Sequence, residues 1–544
     1  MMASVRARVG DLAARELDLL VIGGGITGAG VLRDAAMRGL RAALVERADF
    51  GAGTSSRSSR LIHGGLRYLE HRQWRLVFEA LRERSTLLRL APHLVRPLGF
   101  VFPVYRGDRI SRWKLALGLG LYRMLAAGGN VPRPRMFGKA GLLTLEPNLR
   151  VRDLTGGGLY YDAQCDDARL VIATIRTAIR HGAVALNYAP VIRLVTEGGR
   201  LVGVEISQPD GPADGRGPAL IRARVIVNAT GPWTDQLRRM EDPGATPLLR
   251  LTSGTHIVVR RARLGHTRGI TFTSPVDGRV MFVLPMGDHS YVGTTDRDFA
   301  GDPDQVRMTP ADEEYLLRSV NAIFPHARLA PDDIVTSWSG LRPLLAEDPA
   351  APPDAVSREH RIETGPLGMV TVTGGKLTTF RRMAGEVVDR VFQQLGAEPV
   401  AAPTETEPLI GGEAPSWESF RQAGLDLGLS DSTMDHLISH FGTETAAIVN
   451  LVRGDRSLMT RIHPDHPAVA AEVLHVVRRE LAVTVEDILA RRLHLTTETA
   501  DRGIAAAHRT AELMGRELGW SPDQIAAESA EFMDRISEDP GLIQ

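Results

Sequence analysis

Cysteine is nearly absent: Cys165 stands alone in 544 residues. An intramolecular disulfide is therefore excluded and a thiolate metal cluster is disfavoured, which fits a reducing cytoplasm. Net charge is also absent, with 65 basic residues against 65 acidic ones. No global field draws the chain to nucleic acid, so any anion site must be local. Long apolar runs are missing: the first, LDLLVIGGG, ends in three glycines, and nothing approaches the roughly 20 apolar residues of a spanning helix. The opening MMASVRARVGDLAARELD carries basic side chains but no apolar signal-peptide core. Repeats, long low-complexity tracts and the ligand patterns of haem or iron–sulfur centres are lacking too. What is present is an ordinary soluble composition, 43% hydrophobic and 24% charged, long enough for two to four domains at roughly 100–200 residues each.

The N-terminal order reads strand, turn, helix, strand. Leu17–Ile22 is a short apolar run of the kind a buried parallel strand makes. A helical pattern runs from Ile26 to Arg38, and Gly39 stops it. Residues 41–46 (RAALVE) form the second strand. From about 50 to 400 strands and helices mix. Residues 223–229 (ARVIVNA) and 369–373 (MVTVT) read as buried strands that each run into glycine. Residues 206–219 read as a hairpin or loop, and 349–353 (PAAPP) as a loop. Composition changes near 400, where 400–408 (VAAPTETEP) reads as a linker. Beyond it the pattern is helical, with capping boxes at 484–487 (TVED) and 521–524 (SPDQ). Helical apolar spacing covers 470–481 and 505–513. The expected fold is α/β: a Rossmann-like dinucleotide-binding domain with an interleaved α+β substrate domain over 15–400, a linker at 401–414, and an α-helical C-terminal domain over 415–544.

Residues 23–28 read GGGITG, so Gly23, Gly25 and Gly28 fit G-x-G-x-x-G directly after a strand and at a helix start. Gly23 permits the tight turn, Gly25 the close approach of a pyrophosphate, and Gly28 the packing of helix on strand. The helix N-terminus at Ile26 and Thr27 offers free N–H groups and a partial positive charge. Glu46 ends the second strand, 18 residues after Gly28, and a carboxylate there accepts hydrogen bonds from ribose hydroxyls. These residues specify a dinucleotide and leave NAD, FAD and a non-catalytic binding module open.

Further segments narrow the choice. VIGGGITGAG and TSSRSSRLIHGGLRYLE (54–70) are followed in order by DDARL (166–170), NATGPW (228–233), GTHIVV (254–259), GTTD (293–296), SGLRPLL (339–345), GGKLTTFR (374–381) and AEVLHVVRRELAVTVEDILARRLHL (471–495). As an ordered set over roughly 20–500, this resembles the FAD-dependent, quinone-linked glycerol-3-phosphate dehydrogenases. The resemblance implies FAD as cofactor. It implies contacts to it from Gly23, Gly25, Ile26, Thr27, Gly28, Glu46, Arg47, Thr54, Ser55, Ser56, Leu61, His63, Gly64, Gly65, Val191, Ala229, Thr230, Gly231, Gly375, Lys376, Leu377 and Thr378. Around the substrate it implies Arg67, Tyr68, His256, Thr294, Thr295, Arg342 and Lys376.

The chemistry needs the same residue types. A dianionic phosphate calls for cations, and Arg67, Arg342 and Lys376 lie in glycine- or proline-flanked segments of the kind that form site loops. Arginine's planar donors hold two phosphate oxygens at once. A hydroxyl proton needs a base, for which His63 and His256 are candidates, with His63 favoured beside the flavin. A helix starting after Lys376 would set its positive end toward the flavin pyrimidine. The catalytic set is thus His63, Arg67, Arg342 and Lys376, with no metal.

Residues 95–139 hold nine Lys or Arg and one acid, Asp108. Within them, 113–127 (WKLALGLGLYRMLAA) is too short and too glycine-broken to span, but suits an interface with anionic lipid. The expected setting is a cytoplasmic protein held peripherally on the inner membrane face, passing electrons to a quinone, with the helical domain offering a homodimer contact. Rival readings are a glycerol-3-phosphate oxidase using oxygen, a flavoenzyme acting on a 2-hydroxy acid or amino acid, and a non-catalytic dinucleotide sensor.

Overall fold

The computed structural model describes residues 9–66, 69, 73–126, 131–207, 218–346, 359–414 and 416–538. Two sheets carry the architecture. In the first, Leu17–Ile22 lies between Ala219–Asn228 and Ala42–Val45, all parallel, with Leu19–Ile22, Val225–Asn228 and Ala42–Val45 buried on both faces. Val184–Leu186 extends the parallel run beyond Ala42–Val45, and Val370–Gly374 extends it beyond Ala219–Asn228. His360–Thr364 closes that side antiparallel. The helix Ile26–Met37 packs on this sheet between the helices Asp167–Arg180 and Phe380–Leu395. Gly30 makes the second approach close: a side chain there would meet Phe380 at 3.0 Å.

The second sheet is largely antiparallel and has ten strands among the described residues. Its long members are Val95–Tyr105 against Leu154–Cys165 and Leu249–Arg260 against Ile334–Leu345. The polypeptide crosses between the two sheets repeatedly, so the substrate-side strands are interleaved with the cofactor-side ones in sequence.

Local expectations hold with shifted ends. The strand expected at 41–46 runs Ala42–Val45, and 223–229 belongs to the longer Ala219–Asn228. Ala219 pairs antiparallel opposite Ile206, in keeping with the hairpin or loop expected at 206–219; residues 208–217 lie outside the described residues, as does the 349–353 loop. Both capping boxes form. Asp487 accepts from Val483 and Thr484 N–H, and Ser521 and Gln524 bond reciprocally. The first box opens a π-helical turn, Asp487–Arg492, rather than an α-helix.

Residues 418–538 are helical and share their own apolar core. The segment expected to be a linker is bound down rather than free. Arg33 donates to the carbonyls of Thr404 and Glu407, and Leu409 is buried in the cofactor-side core. Buried ion pairs join the helical segment to the rest. Arg169 forks onto Glu480 at 2.6 and 2.8 Å, and both Arg491 and Arg492 bond to the fully buried Asp49.

Candidate active site

The turn after Leu17–Ile22 is built by backbone. Gly23 has φ 109°, and a Cβ there would lie 2.6 Å from the Ala229 carbonyl oxygen. A Cβ on Gly28 would lie 1.9 Å from the Gly23 carbonyl oxygen, so the helix can rest on the turn only with glycine at that position. Ala229 N–H in turn donates to Ile22 at 2.9 Å, setting Ala229, Thr230 and Gly231 against the turn. The N–H of Ile26, at the helix start beside Thr27, is met by Ser55 Oγ at 2.9 Å, and Gly25 faces the same hydroxyl.

Glu46 points back at this turn and accepts from Gly24 N–H at 2.6 Å and Ala48 N–H at 2.9 Å. Burial raises its pKa, and those two N–H groups with Arg47 oppose the rise. Arg47 itself is engaged outward, pairing with Asp304 and lying over the Trp233 ring at 4.3 Å. Val191 opens the strand Val191–Glu197, next to the Ala189 N–H that donates to the Glu46 carbonyl.

The loop 54–60 then crosses to the second sheet. Thr54 donates to the Leu341 carbonyl at 2.7 Å, and Asp167 accepts from the Ser58 N–H and hydroxyl at 3.1 and 2.7 Å. Ser56 lies in the same turn, and Leu61 is buried at its exit. His63 and Thr378 are tied reciprocally: His63 N–H donates to the Thr378 hydroxyl at 3.2 Å, and that hydroxyl lies 3.4 Å from the His63 carbonyl. Gly64 N–H donates to Tyr122 Oη at 2.9 Å, and Tyr122 donates to Asp162, which Arg84 neutralises. Gly65 follows with φ 77°. Arg67 and Tyr68 lie outside the described residues.

Across from His63, the strand Val370–Gly374 ends in Gly374 and Gly375, with φ of 76° and 81°. Lys376 caps a 3-10 turn, Leu377–Thr379, that runs into the helix Phe380–Leu395. The turn between the lysine and the α-helix was not expected.

The substrate-side group converges on Arg342. It lies within the strand Ile334–Leu345 rather than on a loop, opposite Thr252. Its guanidinium donates to Thr294 Oγ1 at 2.9 Å, to the Thr295 carbonyl at 3.2 Å and to Asp296 at 3.1 Å. Gly254 makes the space for it, since a Cβ there would meet Nη2 at 2.2 Å. Gly293 does the same for His256, whose Cδ2 would be 2.1 Å away. His256 sits inside Leu249–Arg260, stacked on Trp338 at 5.0 Å and bonded through Nε2 to Ser59 at 2.9 Å. Burial, with Arg342 and Arg60 nearby, lowers its pKa to about 3. Its Nδ1 is buried and has no hydrogen-bond partner among the described residues.

The family model described as FAD dependent oxidoreductase matches residues 18–381, and that described as the C-terminal domain of alpha-glycerophosphate oxidase matches 402–525. Glycerol-3-phosphate dehydrogenase 2 of Mycobacterium tuberculosis is 38% identical over 533 residues, covering 96% of this chain and 89% of the relative. The chain belongs to the FAD-dependent glycerol-3-phosphate dehydrogenase family. The aerobic glycerol-3-phosphate dehydrogenase of Bacillus subtilis is 35% identical over 495 residues, 89% of this chain and 88% of that one. The glycerol-3-phosphate dehydrogenase of Bacillus halodurans, solved in complex with FAD, aligns with a TM-score of 0.81 at 30% identity, covering 99% of this chain and 98% of that one.

The cofactor of this family member is FAD, and its residues fit that group. The cradle at Gly23, Gly28 and Ala229 is one that any Cβ would fill, and a buried carboxylate, Glu46, stands at the ribose position of such a turn. Reading the sequence missed several supports. Ser59, Trp338 and Asp296 hold His256 and Arg342, and the pair Tyr122–Asp162 holds the loop at Gly64. Ser59 and Asp296 lie inside the motifs TSSRSS and GTTD, and Trp338 directly precedes SGLRPLL, so motif membership was the available signal. Tyr122 lies in the 113–127 segment read as an interface but is buried, and Asp162 lies in no motif, so nothing local marked either as a support for Gly64.

Proposed function

We propose that the chain oxidises sn-glycerol 3-phosphate to dihydroxyacetone phosphate and passes the electrons to a membrane quinone. The observation that carries the substrate side is the convergence of Arg342, Thr294, Thr295 and His256 on one face of the second sheet, beside the loop that leaves the dinucleotide turn. The printed names of the relatives supply the substrate. In this reading Arg342, with Arg67 and Lys376, holds the phosphate through charge-assisted bonds, and Thr294 orients the guanidinium. His256, neutral near physiological pH, offers its orphan Nδ1 to substrate; an unmet buried polar atom is costly in the free protein and gains a partner on binding. Tyr68 supplies a further hydroxyl. His63 takes the proton from the carbinol hydroxyl. FAD, when bound, supplies a hydride acceptor for the carbinol carbon. Residues 15–400 form the catalytic unit, and 415–544 a helical unit tied to it through 401–414.

Anaerobic addition of glycerol 3-phosphate to the purified holoenzyme tests this. The reading expects the flavin absorbance to bleach within the turnover time. No bleaching with this compound, but bleaching with a 2-hydroxy acid or amino acid, overturns it. A second reading, oxygen as acceptor, is favoured by the match of 402–525 to a domain described for an oxidase. Hydrogen peroxide formed one-for-one with product would establish it in place of the quinone.

The membrane part rests on the helix Arg112–Leu125. Leu115, Leu119 and Tyr122 are buried, while Trp113, Leu117 and Met124 are each about two-thirds exposed on one helical face, with Lys114 and Arg123 flanking. No helix among the described residues is long and apolar enough to cross a membrane. Co-sedimentation with anionic vesicles should fall several-fold in Trp113→Ser/Leu117→Ser, with flavin bleaching retained. Equal sedimentation of both proteins removes this helix as the contact.

A further inference from the structure

Outside the catalytic site, Asp166, His440 and His494 bring one ligand atom each within 4.8 Å of the others, at the seam between the helical C-terminal segment and the cofactor side. We propose that these three residues form a binding site for a divalent transition metal ion, Zn2+ by ligand type, that clips the helical segment to the start of the helix Asp167–Arg180.

The hydrogen bonds of the two imidazoles argue for it. His440 Nδ1 lies 2.9 Å from the His436 carbonyl oxygen, and His494 Nδ1 lies 3.2 Å from the Ala490 carbonyl oxygen. A carbonyl only accepts, so each Nδ1 carries its proton; His440 Nε2 is left as a lone pair, while His494 Nε2 hydrogen-bonds to Asp166 Oδ2 and would exchange that bond for the metal. Backbone carbonyls holding the far ring nitrogen are the usual support of zinc-bound histidine. Both Nε2 atoms face the same carboxylate oxygen, Asp166 Oδ2, at 3.8 Å from His440 and 2.7 Å from His494. Ligands about 2.0–2.1 Å from a tetrahedral Zn2+ stand roughly 3.3 Å apart, between those two values.

Asp166 divides its work to suit. Its Oδ1 caps the helix by accepting Arg169 N–H at 3.0 Å, leaving Oδ2 to the imidazoles. Burial opposes its ionisation, but His494, His440 and Arg60 outweigh that and hold its pKa well below the ordinary value. Burial and the neighbouring His436 lower the pKa of His440. His494 sits at φ 59°, a left-handed conformation that non-glycine residues adopt at a cost and that recurs at sites where function demands it. His494 also lines a cavity of 290 Å³ shared with Arg57, Arg60 and Trp338. A second cluster of the same kind, Glu444, His475 and Glu480, carries no such site. Its carboxylates are taken by Arg169 and Arg176.

Nitrogen ligands exclude Ca2+ and Mg2+ as the natural occupants. The test uses tag-free holoenzyme stripped with EDTA and titrated with ZnCl2 by calorimetry. About one equivalent should bind, and Tm should rise by several degrees as Zn2+ exceeds its Kd. His440→Gln and His494→Asn, the latter chosen because asparagine tolerates the left-handed backbone, should each weaken binding more than about 100-fold while keeping flavin absorbance and the EDTA-state Tm. Zn2+ binding that is absent in the parent protein, or equal in parent and variants, overturns the proposal. Should a variant fail to fold, Co2+ added to the parent decides: visible d–d bands to the red of the flavin support the site, and their absence refutes it.

Discussion

The cofactor turn and the substrate face are built by opposite means. At Gly23–Gly28 the sequence removes side chains so that backbone can do the binding, and the turn, helix start and Glu46 come from one continuous stretch of chain. At Arg342 the glycines are again vacancies, but they make room for side chains: Gly254 for a guanidinium and Gly293 for an imidazole. The two side chains and the glycine at 293 come from three strands whose pairing brings residues 256, 293 and 342 together. A backbone site should therefore fail all at once when a Cβ is added, while a side-chain site should fail by increments.

The largest effect expected is at the turn. Gly28→Val sets a side chain against the Gly23 carbonyl 1.9 Å away, and the purified protein should retain less than about a tenth of its flavin, read from the absorbance ratio. Full flavin content would break the contrast at its root. Next is Arg342→Ala, which removes a charged contact but no backbone: KM for glycerol 3-phosphate should rise about 100-fold with flavin content unchanged. A loss of flavin there would mean the two regions are not separable.

The pH response sharpens the contrast further. His256 is held near a pKa of about 3 when folded, against about 6.5 unfolded. Below pH 6.5 the unfolded chain gains a proton that the folded chain refuses, so stability is whole above about pH 6.5 and declines as pH falls toward 3. The slope is at most roughly 1.4 kcal/mol per pH unit for one such group. His256→Gln should flatten Tm against pH between 6.5 and 4, and an unchanged slope would assign the sensitivity elsewhere. The smallest effect is Ser55→Ala. It deletes one hydroxyl that meets Ile26 N–H, and FAD affinity should fall about 3- to 10-fold by equilibrium dialysis.

This contrast also explains what could be read in advance. The turn was legible because its chemistry is local: glycine spacing, a preceding apolar strand and a terminal acid lie within thirty-odd residues of each other. The substrate face was legible only through the ordered motifs, since no periodicity in GTHIVV or SGLRPLL says that the two strands pair. Arg342 was expected on a loop because Pro343 follows it; in the sheet, Pro343 stands opposite Leu251 without ending the strand. Tyr122 and Asp162, which fasten Gly64 from another helix and another strand, act through distances that only the assembled fold defines. The bound-down segment 401–414 was hidden for the same reason. Its polar composition reads as solvent-exposed, but Arg33 holds it through backbone carbonyls, which any sequence supplies.

The shared grip of Arg491 and Arg492 on Asp49 has a consequence for how the molecule comes apart. Asp49 lies three residues beyond the ribose acid Glu46, fully enclosed, and both of its arginines belong to the helical segment. Peeling that segment away would break both ion pairs to Asp49 at once. Partial unfolding that spares one half is thereby suppressed. Heating should melt the protein in one calorimetric transition, with flavin release and loss of C-terminal helix tracing the same curve.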